Sequence, residues 1–132
     1  MLKRGNNYLY GVIILSILFV CLFYSKIILH PNSYLFSADG DAMKNYYTYA
    51  YFIKNNVSNT NFEGLNYPYG EHYLYTDCHP AIASLLKTIK PIIPEVTEYS
   101  IGIINFLMIF SMILTALLLY LIFIELKINL LL

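Results

Sequence analysis

Charged residues are scarce in this chain, and tryptophan is absent from it. Asp, Glu, Lys and Arg make up 12% of the residues and 58% are hydrophobic, whereas a soluble globular domain contains about 25% charged residues. So low a charged fraction argues against an ordinary soluble domain and favours a membrane protein. The formal net charge is zero, so the sequence offers no basic surface of the kind that binds nucleic acid.

Cysteine is also rare. Cys21 lies inside an apolar run and Cys78 lies in a polar region, so a bond between them would require one residue to leave the membrane. A disulfide framework is therefore excluded. An unpaired Cys78 thiol without a role is the favoured interpretation, and an intermolecular disulfide is the alternative.

Long apolar runs, in contrast, lie near both ends of the chain. The first, Tyr8–Leu29, is interrupted only by Lys26, and a helix of this length spans roughly 33 Å, enough to cross a hydrocarbon core of about 30 Å. A membrane anchor is favoured over a cleaved signal peptide, because the candidate cleavage site Ser37-Ala38 lies far from the apolar core. A lipoprotein signal ending at Cys21 is disfavoured because the apolar run continues beyond it.

The second apolar run, Tyr99–Ile124, is uncharged and predicts another spanning helix. Asn105 within it is expected to bond a neighbouring helix. Lys3 and Arg4 keep the N-terminus in the cytoplasm. We therefore expect a multi-pass protein of the inner (cytoplasmic) membrane. Residues 1–29 hold the cytoplasmic N-terminus and first span, residues 30–98 form an extracytoplasmic loop, and residues 99–132 hold the second span.

Two short helices are predicted inside that loop. Helical spacing of apolar residues predicts the first over 41–54, with Asp39 or Asp41 able to cap it. Pro80 suits the start of the second, over 80–90, whose apolar stripe favours a position on the membrane surface or against a partner. The predicted fold class is thus an all-α membrane protein with two transmembrane helices flanking an extracytoplasmic loop.

Two clusters in the loop carry the candidate chemistry. Asp39 and Asp41 flank Gly40, and such a carboxylate pair can bind a divalent cation, accept a proton from a hydroxyl, or simply cap a helix. The second cluster adds further possible ligands or bases, at a spacing that does not match structural zinc sites: Glu71, His72, Asp77 and His79. Nearby tyrosines, Tyr67 and Tyr69 among them, can stack on a sugar ring or border the membrane.

The order of these features resembles the GT-C class of polytopic membrane glycosyltransferases. The resemblance lies in the run Asp39-Gly-Asp-Ala-Met-Lys-Asn-Tyr-Tyr47, followed by Asn66-Tyr-Pro-Tyr-Gly-Glu-His72 and Thr76-Asp77, and extends over residues 1–125. It implies a polyprenyl-phosphate-linked sugar donor and transfer at the outer membrane face.

The same resemblance implies roles for individual residues. Asp39 best matches the acidic residue of the first loop in that class, whose carboxylate acts as a base or positions a metal. Asp41 is the second-best match. With Glu71 and Asp77 they would hold Mg²⁺ or Mn²⁺. Lys44 would meet the donor phosphate as a point charge. Apart from the resemblance, the further candidate substrate contacts are Tyr67, Tyr69, His72 and His79.

This chain differs from the GT-C class in its number of transmembrane spans. Two are predicted for this chain, and GT-C enzymes have many more. The chain is therefore interpreted as an N-terminal fragment, and we expect it to be inactive without further transmembrane helices or partner subunits. The abrupt apolar ending at Leu132 fits a truncated reading frame. The alternative is a non-enzymatic two-span assembly or export subunit whose loop binds another protein.

Overall fold

The computed structural model describes residues 2–77 and 79–126, with side chains from residue 8 onward. The described part is mostly helical, as predicted. Two short 3₁₀ turns, Tyr73–Tyr75 and Pro94–Thr97, adjoin the longer elements. The helices and strands, in chain order, are α1 (Leu2–Phe23), α2 (Ser25–Leu29), α3 (Gly40–Lys54), β1 (Asn61–Phe62), β2 (Glu71–His72), α4 (Pro80–Ile89) and α5 (Ser100–Glu125).

Helix α5 associates the chain with a membrane. Within residues 2–77 and 79–126 it is the one helix that is both long and apolar enough to cross a bilayer. Large apolar side chains along it, including Phe110 and Leu118, are exposed. Such a surface is stable when lipid covers it, because the backbone hydrogen bonds are satisfied within the helix.

The first apolar run is not a single helix. It is divided at Tyr24, which lies between the end of α1 at Phe23 and the start of the five-residue α2 at Ser25. The described apolar part of α1, Tyr8–Phe23, is shorter than α5. Hydrogen bonds from Tyr24 N–H to Val20 O and from Ile28 N–H to Tyr24 O persist across this point. The interruption is therefore confined to one residue. The sequence around it contains no Pro or Gly that would have predicted it.

Helices α1 and α5 lie side by side and antiparallel. Val20, near the end of α1, packs with Ile109, near the start of α5. At the opposite end, Tyr8 of α1 lines the same groove as Tyr120 of α5. The elements between α2 and α5 consequently lie at one end of this helix pair.

Helices α3 and α4 form a small core that rests on the beginning of α5. Phe52 and Ile53 of α3, Ala83 and Leu86 of α4, and Ile104 of α5 are buried in one cluster. Helix α4 therefore finds the partner of its apolar stripe within the chain, although Leu85 of that stripe is exposed. The predicted bounds of α3, α4 and α5 agree with the structure to within one residue.

Two lysines at the C-terminal end of α4 bind α3 and the loop that follows it. Lys90 Nζ donates to Ile53 O at 3.2 Å and to Lys54 O at 2.8 Å. Lys87 Nζ donates to Ser58 O and lies 4.3 Å from the centre of the Phe52 ring. Lys90 thereby satisfies carbonyls that the end of α3 leaves unpaired, whereas Lys87 binds a carbonyl of the loop that follows α3. Burial lowers the pKa of Lys87, and repulsion from Lys90 lowers it further, against the opposing attraction of Glu63.

A two-stranded antiparallel hairpin, absent from the sequence prediction, covers the other side of α3. Asn61 pairs with His72 and Phe62 with Glu71. The buried Asn56 organises the approach to it, since its Nδ2 donates to Ser58 O and Asn61 O and its Oδ1 accepts from Glu63 N–H. Asn56 thus stabilises the loop through all of these contacts.

Candidate functional site

The segment between α2 and α3 crosses the first turns of α5, and Asn105 joins the two. Asn105 is fully buried, and its Nδ2 donates to Pro31 O at 2.7 Å and to Tyr34 O at 2.8 Å. Its Oδ1 accepts from the Tyr46 hydroxyl of α3 at 2.5 Å. The expectation that Asn105 bonds a neighbouring helix is confirmed. We call this arrangement the Asn105 junction.

The same crossing segment caps α5. Asn32 Oδ1 accepts from Gly102 N–H at 2.6 Å, which satisfies one of the amides that a helix start leaves free. A Cβ atom on residue 102 would lie 2.6 Å from that oxygen. Glycine is therefore required here by close approach.

A cavity of about 180 Å³ opens beside the Asn105 junction. Its walls come from the crossing segment, α3, α5 and the residue that precedes α4. We call it the α3–α5 cavity, and its lining residues are Phe36, Ser37, Ala42, Asn45, Tyr46, Tyr49, His79, Ile104 and Met108.

The cavity lies at the level where α5 begins. Ile104 and Met108 are four and eight residues beyond Ser100, the first residue of α5. At 1.5 Å per residue they lie roughly 6 and 12 Å along the helix from its start. The cavity floor therefore belongs to the candidate membrane span, and its opposite wall belongs to helix α3.

Few polar groups line the α3–α5 cavity, and one of them lacks a partner. Asn45 Oδ1 is a buried oxygen with no hydrogen-bond partner among the described residues. The Tyr49 hydroxyl donates to Ser100 O at 3.0 Å, and burial raises the pKa of Tyr49 and Tyr46. His79 contacts the Tyr49 ring edge to face, with ring centres 6.3 Å apart. At neutral pH the two phenols are uncharged.

The predicted acids lie at the start of α3. Asp39 occupies the N-cap position, yet its side chain makes no capping hydrogen bond, and Asp41 lies in the first turn. Gly40 between them adopts a φ of +43°, which glycine tolerates without strain. Asp41 precedes Asn45 by four residues, so the two lie one helical turn apart on neighbouring positions of α3. Asp41 is therefore better placed than Asp39 with respect to the cavity.

Lys44 joins the two sequence clusters. Its Nζ lies 3.3 Å from Asp77 Oδ2, and the two side chains are 42% and 67% exposed. An ion pair this exposed contributes at most about 1 kcal/mol. Lys44, which was predicted to bind a phosphate, thus pairs with Asp77 in this structure. The ion pair is weak enough for another anion to replace Asp77.

The remaining predicted site residues lie away from the cavity lining, with the exception of His79. Glu71 accepts from Asn66 Nδ2 at 2.7 Å, and His72 Nδ1 accepts from Leu74 N–H. Tyr67 and Tyr69 are 93% and 88% exposed in the turn that follows Asn66. Among the described residues, no three or more His, Cys, Asp or Glu side chains are grouped to hold a metal.

Of the nine lining residues, sequence reasoning had predicted only His79 as a site residue, and it missed the other eight. A signal for Asn45 existed, because it lies beside Tyr46 and one turn before Tyr49 on a helix with an apolar face. Its burial depends on α5, which is remote in sequence, and so could not be inferred from that spacing.

Comparison with known proteins identifies a family. A family model described as "Domain of unknown function (DUF6311)" matches residues 13–132. No curated protein and no solved structure matches the chain. Because the match covers most of the sequence, the chain belongs to the DUF6311 family.

Proposed function

We propose that this chain is the N-terminal part of an integral-membrane glycosyltransferase. It uses a polyprenyl-phosphate-linked sugar donor at the outer face of the cytoplasmic membrane. Helices α1–α2 and α5 both cross the bilayer in this proposal, with the N-terminus in the cytoplasm. Their antiparallel pairing, through Val20 and Ile109, supports two crossings in opposite directions.

The position of the α3–α5 cavity carries the proposal. Ile104 and Met108 of the candidate span form its floor, and α3 begins with the acidic residues at its other side. A lipid-linked sugar has an apolar chain and a polar head, so its reacting end is met where such surfaces adjoin. Asp41, one turn before Asn45, is the carboxylate nearest in helical position to that boundary.

The chemistry assigned to this site is glycosyl transfer to a hydroxyl. A carboxylate, Asp41 or Asp39, accepts the acceptor proton while the hydroxyl oxygen forms a bond to the anomeric carbon. The bond from that carbon to the polyprenyl phosphate breaks, and the phosphate leaves with the electron pair. Lys44 leaves Asp77 and pairs with the departing phosphate. Its compact ammonium group neutralises part of the negative charge of that phosphate.

The metal implied by the resemblance stays a prediction, because its four ligands are not grouped into one site among the described residues. Of its four ligands, Glu71 is bonded to Asn66 and Asp77 to Lys44. Asp39 and Asp41 lie together at the start of α3, and one or two carboxylates with bound waters and substrate phosphates are the usual ligands of Mg²⁺. We derive no step through a metal.

The test is sugar transfer in native membranes. Asp41→Asn should lower transfer from a radiolabelled polyprenyl-phosphate donor by about 100-fold or more, because a neutral amide cannot accept the proton. Glu63→Gln is the matched control, since Glu63 is an exposed carboxylate on the hairpin. Unchanged transfer in both Asp41→Asn and Asp39→Asn, with normal membrane levels, would remove the chemical basis of the proposal.

The exposed tyrosines Tyr67 and Tyr69 favour a second candidate, a non-enzymatic assembly or export subunit. Exposed tyrosine rings are common at protein contact surfaces. In that case a Tyr67→Ala/Tyr69→Ala variant should lose a crosslinked membrane complex, while Asp41→Asn keeps it. The opposite pattern, with the complex intact and transfer lost in Asp41→Asn, supports the enzyme.

A further inference from the structure

One face of helix α4 is covered by the rest of the chain, and both charges of the helix point the same way. Ala83 and Leu86 are buried in the cluster that α4 shares with α3 and α5. Lys90 bonds carbonyls at the end of α3, and Lys87 bonds the loop that follows α3. Within residues 80–93 these two lysines are the only charged side chains. The charges of α4 are therefore used inside the chain.

The opposite face of α4 is exposed and carries no charge. Successive residues of a helix are about 100° apart around its axis, so four positions fall within about 60° of one another. The turn after α4 continues this phase, because Ile93 N–H donates to Ile89 O at 3.0 Å. We call this surface the outer face of α4, and it consists of Ala81, Leu85, Thr88 and Ile92.

The outer face has no polar group that requires water. Leu85 and Ile92 are 58% and 81% exposed, and Ile93, next to Ile92 in the chain, is 48% exposed. The hydroxyl of Thr88 donates to Ser84 O at 2.8 Å, within the helix. A helix at the surface of a water-soluble domain carries its charged residues on the solvent side. The outer face of α4 is therefore suited to apolar surroundings.

The packing of α4 sets its depth relative to a bilayer that α5 crosses. Helix α5 has 26 residues and is roughly 39 Å long, about 9 Å more than a hydrocarbon core of about 30 Å. Its charged last residue, Glu125, marks one surface of that core, so the excess lies at the start of the helix. Ile104 is about 6 Å from this start and shares one buried cluster with Ala83 and Leu86. Helix α4 consequently lies at the depth of the lipid headgroups.

The small size of the outer face favours lipid over a protein partner. A stable protein interface buries roughly 800 Å² on each partner, and three exposed aliphatic side chains provide far less. A helix in the bilayer interface needs only an apolar stripe on one side. Helix α4 also leads into α5 within about ten residues, so its outer face is continuous along the chain with a lipid-facing helix.

We propose that the outer face of α4 lies in the boundary between headgroups and acyl chains, with Leu85, Ile92 and Ile93 in contact with lipid. Anionic lipid is not required, because Lys87 and Lys90 are engaged and the next charged residues along the chain are acidic. The proposal requires that α5 crosses the membrane, and it does not depend on the proposed transferase activity.

The absence of tryptophan from the chain allows a test with single-tryptophan reporters. Ile92→Trp and, separately, Leu85→Trp are reconstituted in phosphatidylcholine vesicles whose acyl chains carry bromine near the headgroup. Emission is compared with that in unbrominated vesicles, because bromine quenches indole on contact. We expect quenching of at least about twofold for both variants, since an interfacial apolar face lies about 5–10 Å into this boundary.

Tyr69→Trp is the matched control. Tyr69 is 88% exposed, close to the exposure of Ile92, and lies in the turn of the hairpin on the other side of α3. The affinity of indole for the membrane interface is the same in both variants. We therefore expect Tyr69→Trp to be unquenched by bromine and open to acrylamide, a water-soluble quencher.

Two results would overturn the proposal. Emission from Ile92→Trp that matches Tyr69→Trp with both quenchers would show that water covers the outer face. Emission shielded from acrylamide but insensitive to bromine would show that a second copy of the chain covers it. If Ile92→Trp does not fold, Leu85→Trp gives the same decision. None of these measurements involves sugar transfer, so this proposal and the transferase proposal fail separately.

Discussion

Two asparagines on different helices of this molecule differ in whether their buried side-chain oxygen has a hydrogen-bond partner. Asn105, on α5, has its amide nitrogen and oxygen fully engaged by Pro31, Tyr34 and Tyr46. Asn45, on α3, has a buried oxygen with no partner among the described residues. Both lie beside the same tyrosine, because Tyr46 bonds Asn105 and also lines the cavity of Asn45.

The difference separates a buried amide that stabilises the fold from one that is unfavourable for folding. A satisfied buried network fixes the geometry of the segments that it joins. A buried polar group without a partner costs free energy on folding. The following predictions test this contrast, beginning with the largest effect.

Breaking the Asn105 junction should have the largest effect on stability. Asn105→Leu leaves Pro31 O, Tyr34 O and the Tyr46 hydroxyl without their partner, and we expect a loss of about 3 kcal/mol in the free energy of unfolding. Denaturant titration in mixed micelles measures it. A loss below about 0.5 kcal/mol would show that water replaces all three bonds and that the junction is not structural.

Alkaline pH should destabilise the fold through Tyr49. Burial raises the folded-state pKa of Tyr49 above the unfolded value of 10.0. Above pH 10, the unfolded state therefore binds fewer protons, and the unfolding free energy should fall by about 1.4 kcal/mol per pH unit for this group. Below that pH the contribution is fully present.

The matched variants are Tyr49→Phe, which should remove this part of the alkaline slope, and Tyr69→Phe, which should keep it because Tyr69 is exposed. Since Tyr46 has a raised pKa as well, some slope should persist in Tyr49→Phe. Identical slopes in all three proteins would contradict the assignment.

Two glycine substitutions should have opposite signs. Gly102→Ala displaces the Asn32 cap and should lower stability by about 1 kcal/mol, although alanine favours helices. Gly11→Ala has nothing within 4 Å and should raise stability by up to about 1 kcal/mol. Asn32→Ala should match Gly102→Ala, and the double variant should add little. Additive losses would show that the cap and the close approach are independent.

The smallest effect is expected at Asn45. Asn45→Leu replaces an unpaired polar group by an apolar one in an apolar cavity, and its unfolding free energy should change by no more than about 0.5 kcal/mol. A loss comparable to that of Asn105→Leu would mean that Asn45 has a structural partner and that the contrast between the two residues is false.

Local sequence patterns predicted the helices well. The 3.6-residue spacing of apolar side chains and the prolines before and after α4 are short-range signals, and they set the bounds of α3, α4 and α5 to within one residue. The sequence also predicted that Asn105 would bond outside its own helix. Such signals depend on neighbours within a few turns and need no knowledge of the fold.

The features that depend on remote contacts were missed or left open. The interruption at Tyr24, the hairpin of Asn61–Phe62 with Glu71–His72, and the α3–α5 cavity were not predicted. Of these, the cavity joins segments far apart in sequence, from Phe36 to Met108. The proposed catalytic and metal roles of Asp39 and Asp41 stay predictions. Carboxylate spacing alone does not distinguish a helix cap from a base or a ligand.

By itself, the sequence determined that this chain is helical and associated with a membrane, because low charge and long apolar runs admit few other folds. Only the tertiary structure decided which polar residues are satisfied. Asn105 meets the carbonyls of Pro31 and Tyr34, over 70 residues away in sequence, while Asn45 meets none of the described donors. Hydrogen bonding depends on which atoms come within about 3 Å, and this proximity is fixed by packing.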